Sequence, residues 1–396
     1  MPLFAGVCET NITPPIETQM TGYGWVPQTC LAIHDELYAR ALVIDDGFTR
    51  VVLMTADLLG LPEGMVKTIR RSVAAELETD VSAVMICCSH THGGPHTGVS
   101  AIGTSDPFIE TLIIRKLIGA AKQASSTLVP VHLTYGESSA QIGVNRRKTL
   151  PNGLAVLEAN YAGAVAPIVQ TLIVNGANGK TLAMLFSHAC HPTALEGENR
   201  SVTADWPGAS VAALKRRFQK EGAENGIEQN ALPFFLQGCC GDINPVRRGS
   251  WEAMEENGEQ VAAAAHAARW SAHGRLEEVL GVEEITISLP TLSNDPSVVP
   301  PELQFTIQRL SLGGVSLIGF PAEMFVRYQN DFRAMSGAPL FLISCSNGCL
   351  GYMPTADEYA RGGYEIIEAH RYYGMPMFAP ECEEMVRRAV ERLLLI

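Results

Sequence analysis

The run RVVLMTADL (residues 50–58), a helical pattern over 63–78 and the run SAVMICC (82–88) make one strand, helix, strand unit. Short apolar, β-branched runs alternating with helical spacing are the sequence mark of an α/β domain. The alternation continues on both sides. Strands are expected at 41–46, 131–136, 168–176, 181–187, 233–238, 284–290, 303–310, 315–320 and 340–345, and helices at about 107–124, 206–221, 251–271, 323–335 and 380–394. Asn175-Gly176-Ala177-Asn178-Gly179 lies between two of these strands and reads as a hairpin turn, so those neighbours are antiparallel and the sheet is mixed. The expected architecture is α/β, a large mixed β-sheet core flanked by helices, with the active site at strand ends. The chain, 396 residues long, reads as a single catalytic domain, with the Pro- and Ser-rich stretch 290–302 as its one candidate seam.

Composition narrows the function. With 29 Lys and Arg against 42 Asp and Glu, the net charge of −13 removes the basic face that nucleic acids require. The start, MPLFAGVCETNITPP, lacks a basic region followed by an apolar one, and no run reaches the roughly 18 apolar residues of a membrane span. A cytoplasmic protein without stable membrane association is expected. Its ten cysteines include the adjacent pairs Cys87-Cys88 and Cys239-Cys240, which suit buried filler in a reducing compartment better than a disulfide framework.

The chemistry-bearing residues cluster where apolar runs end. Ser89-His90-Thr91-His92-Gly93-Gly94-Pro95-His96 follows SAVMICC, and alternate residues of an extended chain aim His90 and His92 to one side. Ser187-His188-Ala189-Cys190-His191-Pro192-Thr193 follows TLAMLF. Three further strand ends carry Gly241-Asp242-Ile243-Asn244, Pro321-Ala322-Glu323 and Cys349-Leu350-Gly351-Tyr352. Histidines gathered from separate strand ends suit a catalytic zinc, which takes three protein groups and keeps a position open. Taken singly, Gly241-Asp242 also reads as a tight turn and Glu323 as a carboxylate at a helix N-terminus. Competing chemistries lack their motifs: there is no GxSxG elbow, HExxH helix or CxxC pair, and Gly179-Lys180-Thr181 has Val174 where a phosphate loop needs glycine. A cysteine nucleophile stays open, since Cys88 and Cys190 lie within three residues of a histidine.

The ordered set MTGYG (20–24), HDELYARAL (34–42), SHTHGGP (89–95), NRR (145–147), HPTAL (191–195), GCCGDINP (238–245), FPAE (320–323) and GYMPTADEYARGGYE (351–365) resembles the catalytic domain of neutral ceramidases. The resemblance spans about residues 5–370. It implies one zinc per chain held by His90, His191, Glu323 and Tyr352, with His92 as proton carrier. Arg146 and Tyr364 then contact the substrate head or the developing oxyanion. The implied reaction is hydrolysis of a linear amide or ester by metal-activated water, His92 passing a proton to the leaving group. Arg146 has a second reading, a bidentate clamp on a substrate carboxylate. The chain departs from the family at Asn244, where ceramidases carry serine; an amide can orient a substrate but cannot be a nucleophile. The chain is also expected to do without the family's immunoglobulin-like domain and export signal, and with them a membrane lipid as substrate; a small soluble substrate is expected.

Three alternatives stand beside this reading. The same groups would serve a phosphate or sulfate ester hydrolase, and Asn244 is compatible with a non-catalytic binding protein. Iron or manganese could occupy a site of two histidines and a carboxylate. Asp57, His96 and Asp205 are candidates for a second divalent cation or for orienting the ligands, against simple turn-forming roles. The sequence carries no signal of oligomeric state.

Overall fold

A computed structural model describes residues 2–23, 27–225, 229–272, 274–292 and 301–395. Eight strands form one sheet in the spatial order Leu232–Gln237, Thr181–His188, Ile168–Gly176, Val129–Ser139, Leu3–Asn11, Tyr38–Asp45, Arg50–Ala56, Val84–Cys88. The outermost pair on each side is parallel and the five pairs between are antiparallel, so the sheet is mixed as expected. The hairpin expected at 175–179 joins Ile168–Gly176 to Thr181–His188.

The strands expected near the C-terminus do not extend this sheet. Leu280–Leu289, Leu303–Leu312, Val315–Gly319 and Leu340–Ile343 make a separate four-stranded sheet facing the first. Residues alternate faces along each strand, which explains why both sheets read as near-continuous apolar runs. Leu42 and Ile44 point into the core shared by the two sheets, with Leu310, Leu317 and Phe341. Ala41 and Val43 point the other way, onto the helices Glu63–Leu77 and Pro107–Ser125. The helices Asp205–Glu224 and Trp251–Ala268 cover the remainder of that outer face, and Val326–Met335 with Cys382–Leu394 cover the smaller sheet. Helix starts are set locally: Asp106 accepts a hydrogen bond from the Phe108 N–H with Pro107 in the first turn, and Ser250 accepts from Ala253 N–H.

The strand Leu3–Asn11 lies fifth in the order although its sequence carries no clean alternation. Gly6 shows why it fits: a Cβ there would sit 2.0 Å from the carbonyl oxygen of Ala124, so only glycine lets the end of helix Pro107–Ser125 rest on the strand. The helix expected from 323 begins at Val326 instead. Glu323 pairs in register with Tyr352, because Gly351 offers its carbonyl to the Glu323 N–H at 2.9 Å. The candidate seam at 290–302 falls mostly on 293–300, outside the described residues.

Twist brings the functional strand ends together. Five antiparallel steps leave the two edge strands formally opposed, but roughly 20–25° of twist at each step turns the far edge most of the way round. Residues 344–347 then tie the edges to each other: Ser344 N–H donates to Gln237 O (2.8 Å), Cys88 N–H to Cys345 O (3.1 Å) and Asn347 N–H to Ile86 O (2.8 Å).

Candidate metal and catalytic site

His90 and His92 leave the edge strand Val84–Cys88 through a turn anchored on its neighbour, with Ser89 N–H on Ala56 O and His90 N–H on Leu58 O, both 2.9 Å. His90 adopts a left-handed backbone (φ 65°) and is fully buried. Its Nδ1 lies 2.7 Å from Leu59 O, and a carbonyl only accepts, so Nδ1 carries the proton and Nε2 presents a lone pair. His191 is fixed the same way. Its Nδ1 lies 2.6 Å from Cys240 O and 3.1 Å from Ile243 O, while the buried Trp206 indole donates to the His191 carbonyl at 2.9 Å. The 3.5 Å approach of Arg146 Nη1 to the same Nδ1 joins two donors and is no hydrogen bond.

Glu323 closes the centre. Its Oε2 is 2.8 Å from His191 Nε2 and 3.3 Å from His90 Nε2, and its Oε1 accepts a short hydrogen bond from Tyr373 Oη. His92 stands beside them, its ring centroid 5.1 Å from that of His90 and 5.9 Å from that of His191. Its Nδ1 donates to Gly22 O at 2.7 Å, and its buried Nε2 has no hydrogen-bond partner among the described residues. Among the described residues two sets of donor atoms fall within 4.8 Å of one another: His90, His92 and His191, and His191, Cys240 and Glu323.

Electrostatics ask for a cation at this point. Burial alone would raise the Glu323 carboxyl, yet His90 and His191 hold it well below the usual carboxylate range. Burial would lower His90, and the Glu323 charge overcomes it and raises it. His191 goes the other way, to about 4, through burial and the Arg146 charge. The buried carboxylate thus draws positive charge to this point. Two imidazole Nε2 lone pairs fixed by backbone carbonyls and one ionised buried carboxylate are a donor set that fits zinc.

Tyr352, Arg146, Tyr364 and Asn244 form the adjoining wall. Arg146 donates to Tyr352 Oη (3.0 Å), Asn244 Oδ1 (3.1 Å) and Glu365 Oε1 (2.8 Å). Its guanidinium also lies 5.4 Å from the Tyr352 ring and 5.8 Å from that of Tyr364. The bidentate clamp on a substrate carboxylate is therefore not built here: the edges of the fork are committed to Glu365, Asn244 and Tyr352. Glu365 in turn binds Arg147, which also pairs with Glu358 at 2.9 Å, so this buried network pins the segment after Tyr352 onto the strand Gly143–Thr149. A cavity of about 130 Å³ is lined by His92, Leu59, Ile102, Tyr352, Tyr364 and Tyr373, among other residues, and no Asp, Glu, Lys or Arg of the described residues lines it.

The remaining candidates lie elsewhere in hydrogen-bonded roles. Asp57 is buried against Arg40, at 3.1 Å, and accepts from Tyr38 N–H. Asp205 accepts the N–H groups of Ala194, Leu195 and Trp206. His96 bridges Ile102 O and Gly98 N–H. Burial pushes the Cys88 and Cys190 thiols well above their ordinary value, which removes the thiolate a cysteine nucleophile needs. Sequence reasoning missed Tyr373, Glu365 and Cys240. Tyr373 lies in a stretch without a chemical motif, Glu365 ends the quoted motif 351–365 but was given no role, and Cys240 was taken as filler because nothing in a Cys-Cys pair says that one sulfur faces a histidine across the fold.

Residues 4–288 match the family described as neutral/alkaline non-lysosomal ceramidase, N-terminal, and the chain belongs to that family. It is 25% identical to the neutral ceramidase of Pseudomonas aeruginosa over 305 residues, 71% of this chain and 43% of that protein. To the neutral ceramidase of Drosophila pseudoobscura pseudoobscura it is 27% identical over 256 residues, 61% of this chain and 36% of the relative. The matched part is thus less than half the length of these relatives. The crystal structure of the Pseudomonas aeruginosa enzyme superposes with a TM-score of 0.80 at 18% identity, covering 98% of this chain and 73% of that one. A structure described as ceramidase complexed with C2 gives 0.79 at 16% identity, covering 98% of this chain and 74% of the other. No helix among the described residues is long and apolar enough to cross a membrane.

Proposed function

We infer that this chain is a zinc-dependent hydrolase of a linear amide or ester bond, with His90, His191, Glu323 and Tyr352 holding the metal. The observation that carries the reading is the convergence of two tautomerically fixed imidazole Nε2 atoms on one carboxylate oxygen, at 2.8 and 3.3 Å. Zinc bound there supplies Lewis acidity and a water acidified to a pKa of about 7. The protein's own groups do the rest. His92 accepts a proton at Nε2, the atom left unpartnered, and returns it to the departing amine or alcohol, while Gly22 O holds Nδ1–H and keeps the ring in that tautomer. Burial and the Glu323 charge push the Tyr352 phenol well above its ordinary value, and Arg146, which donates to its Oη, is the group that opposes them. Tyr364 lines the cavity and supplies a hydroxyl for the oxyanion. Asn244, its carbonyl oxygen held by Arg146, orients the substrate amide.

The uncharged lining favours a small neutral N-acyl amine or ester over an acyl amino acid. Phosphate and sulfate esters are disfavoured, because the one guanidinium in the site is already compensated by Glu365. Elemental mass spectrometry on protein purified without chelator, with a screen of N-acyl amines, esters and phosphate esters, tests the reading. About one zinc per chain, absent in His191→Ala and Glu323→Ala, with turnover of acyl compounds, is expected. No bound metal, and no hydrolysis after zinc is added, would sink it.

A further inference from the structure

We propose that Tyr373 is a positioning residue that fixes Glu323, so that one chosen carboxylate oxygen, Oε2, is presented to the two histidines. The proposal rests on the metal reading above. Glu323 is fully buried and its two oxygens have different neighbours: Oε2 meets His191 Nε2 at 2.8 Å and His90 Nε2 at 3.3 Å, and Oε1 takes the Tyr373 hydroxyl. A carboxylate with one oxygen capped by a phenol O–H cannot rotate about its last bond without breaking that hydrogen bond and leaving a buried charge short of a donor.

Tyr373 is itself held from two sides. Its ring meets the Tyr352 ring edge-on, 6.3 Å between centroids. Its backbone ends the short helix His370–Tyr373 at Gly374, and the neighbouring Tyr372 carbonyl accepts from Ala101 N–H at 2.6 Å and from Ser100 Oγ at 3.1 Å. The 370–374 turn is thus tied to the loop at 100–101 through the Tyr372 carbonyl and to the strand pair of Glu323 with Tyr352 through the Tyr373 phenol. Groups that orient a metal-binding side chain from outside typically change metal affinity 10–100-fold when removed.

The test compares Tyr373→Phe with Tyr359→Phe. Tyr359 also donates its hydroxyl to a buried acceptor, Phe378 O at 2.8 Å, but touches no site residue, so it controls for the loss of one structural hydrogen bond. Zinc affinity of each full-length protein is measured by competition with a chromogenic chelator, and the visible spectrum is recorded after loading with cobalt(II). Tyr373→Phe is expected to bind zinc 10–100-fold more weakly and to shift the cobalt spectrum, because the freed carboxylate reorients. Tyr359→Phe is expected to match wild type in both. If Tyr373→Phe binds zinc like wild type, or if Tyr359→Phe weakens it equally, the positioning role is refuted while the metal site stands. A wild-type chain that binds no zinc refutes the metal reading and this role with it.

Discussion

Replacing Gly22 by alanine tests the role given to His92 without touching His92 or any metal-binding side chain. Gly22 has φ +114°, a backbone that costs a non-glycine residue about 1–3 kcal/mol. An added Cβ would also stand 2.8 Å from Cγ and from Nδ1 of His92, where ordinary contact begins at 3.4 Å, so the ring has to retreat by at least 0.6 Å. It retreats from the very carbonyl that fixes its tautomer, Gly22 O at 2.7 Å. A displacement approaching 1 Å in a catalytic group costs about 100-fold in rate, equivalent to about 2.7 kcal/mol of barrier. The assay is kcat and KM on the best acyl substrate, with zinc content and thermal midpoint measured on the same preparation. The expected result is a 30–100-fold fall in kcat at unchanged zinc and a modestly lower midpoint. A folded Gly22→Ala protein with kcat within about threefold of wild type would remove His92 from proton transfer. Loss of zinc would move His92 into the metal's ligand set, where its distances to His90 and His191 also allow it.

Glu365→Gln leaves Arg146 and Arg147 sharing a buried charge without its counter-ion, so urea denaturation is expected to show a loss of about 3–5 kcal/mol; a loss below 1 kcal/mol would mean the network is not holding the segment. Asn244→Ala strips the Arg146 Nη1 partner, and kcat/KM is expected to fall about tenfold with zinc retained, whereas loss of zinc would place Asn244 in support of the metal. His188 is buried with Nε2 unpartnered, and burial holds it at about 4 against about 6.5 when unfolded. The native state keeps it neutral while the unfolded chain protonates, so its contribution is intact above pH 6.5 and is lost as pH falls towards 4, about 3 kcal/mol in all. Denaturation between pH 7 and pH 4.5 should therefore show a shallower decline for His188→Gln than for wild type, and parallel curves would refute the assignment.

Much of this was legible in the sequence because the site is made of strand ends. A buried strand announces itself by composition, and the polar residue that follows it announces where the chain leaves the core, so SAVMICC followed by His90 and TLAMLFS followed by His188 to His191 located two walls of the site. Tyr352 and Tyr364 came from the resemblance alone, since no periodicity distinguishes a tyrosine near a metal from one in a core. Tyr373 was invisible on both counts. Its role depends on a hydrogen bond to Glu323, 50 positions away, that exists only once the 370–374 turn docks on the loop at 100–101. The separateness of the four-stranded sheet was not legible for a related reason: strand runs specify burial on both faces but not which sheet they join, and that choice is made by the inner core of Leu42, Leu310 and Phe341.

The distribution of strained backbone points the same way as the chemistry. Among the described residues six non-glycines have positive φ, and four of them, His90 (65°), Asp205 (53°), Cys345 (52°) and Asn347 (56°), lie in the segments that carry or brace the site. Each such residue costs about 1–3 kcal/mol and persists only where its surroundings over-determine it. Here the surroundings are identifiable. Asp205 is held by three backbone N–H groups and begins the helix whose Trp206 secures the His191 carbonyl. Cys345 and Asn347 sit in the stitch between the two edge strands, and Cys345 Sγ packs 3.4 Å from His90 Nδ1. The left-handed turn at His90 is thus braced from both edges of the sheet, and relaxing it would break the stitch at Cys88 and Asn347. A site built this way holds its histidines in place through the backbone: the left-handed turn sets His90, and the carbonyls of Leu59 and Cys240 fix the Nδ1 atoms of His90 and His191.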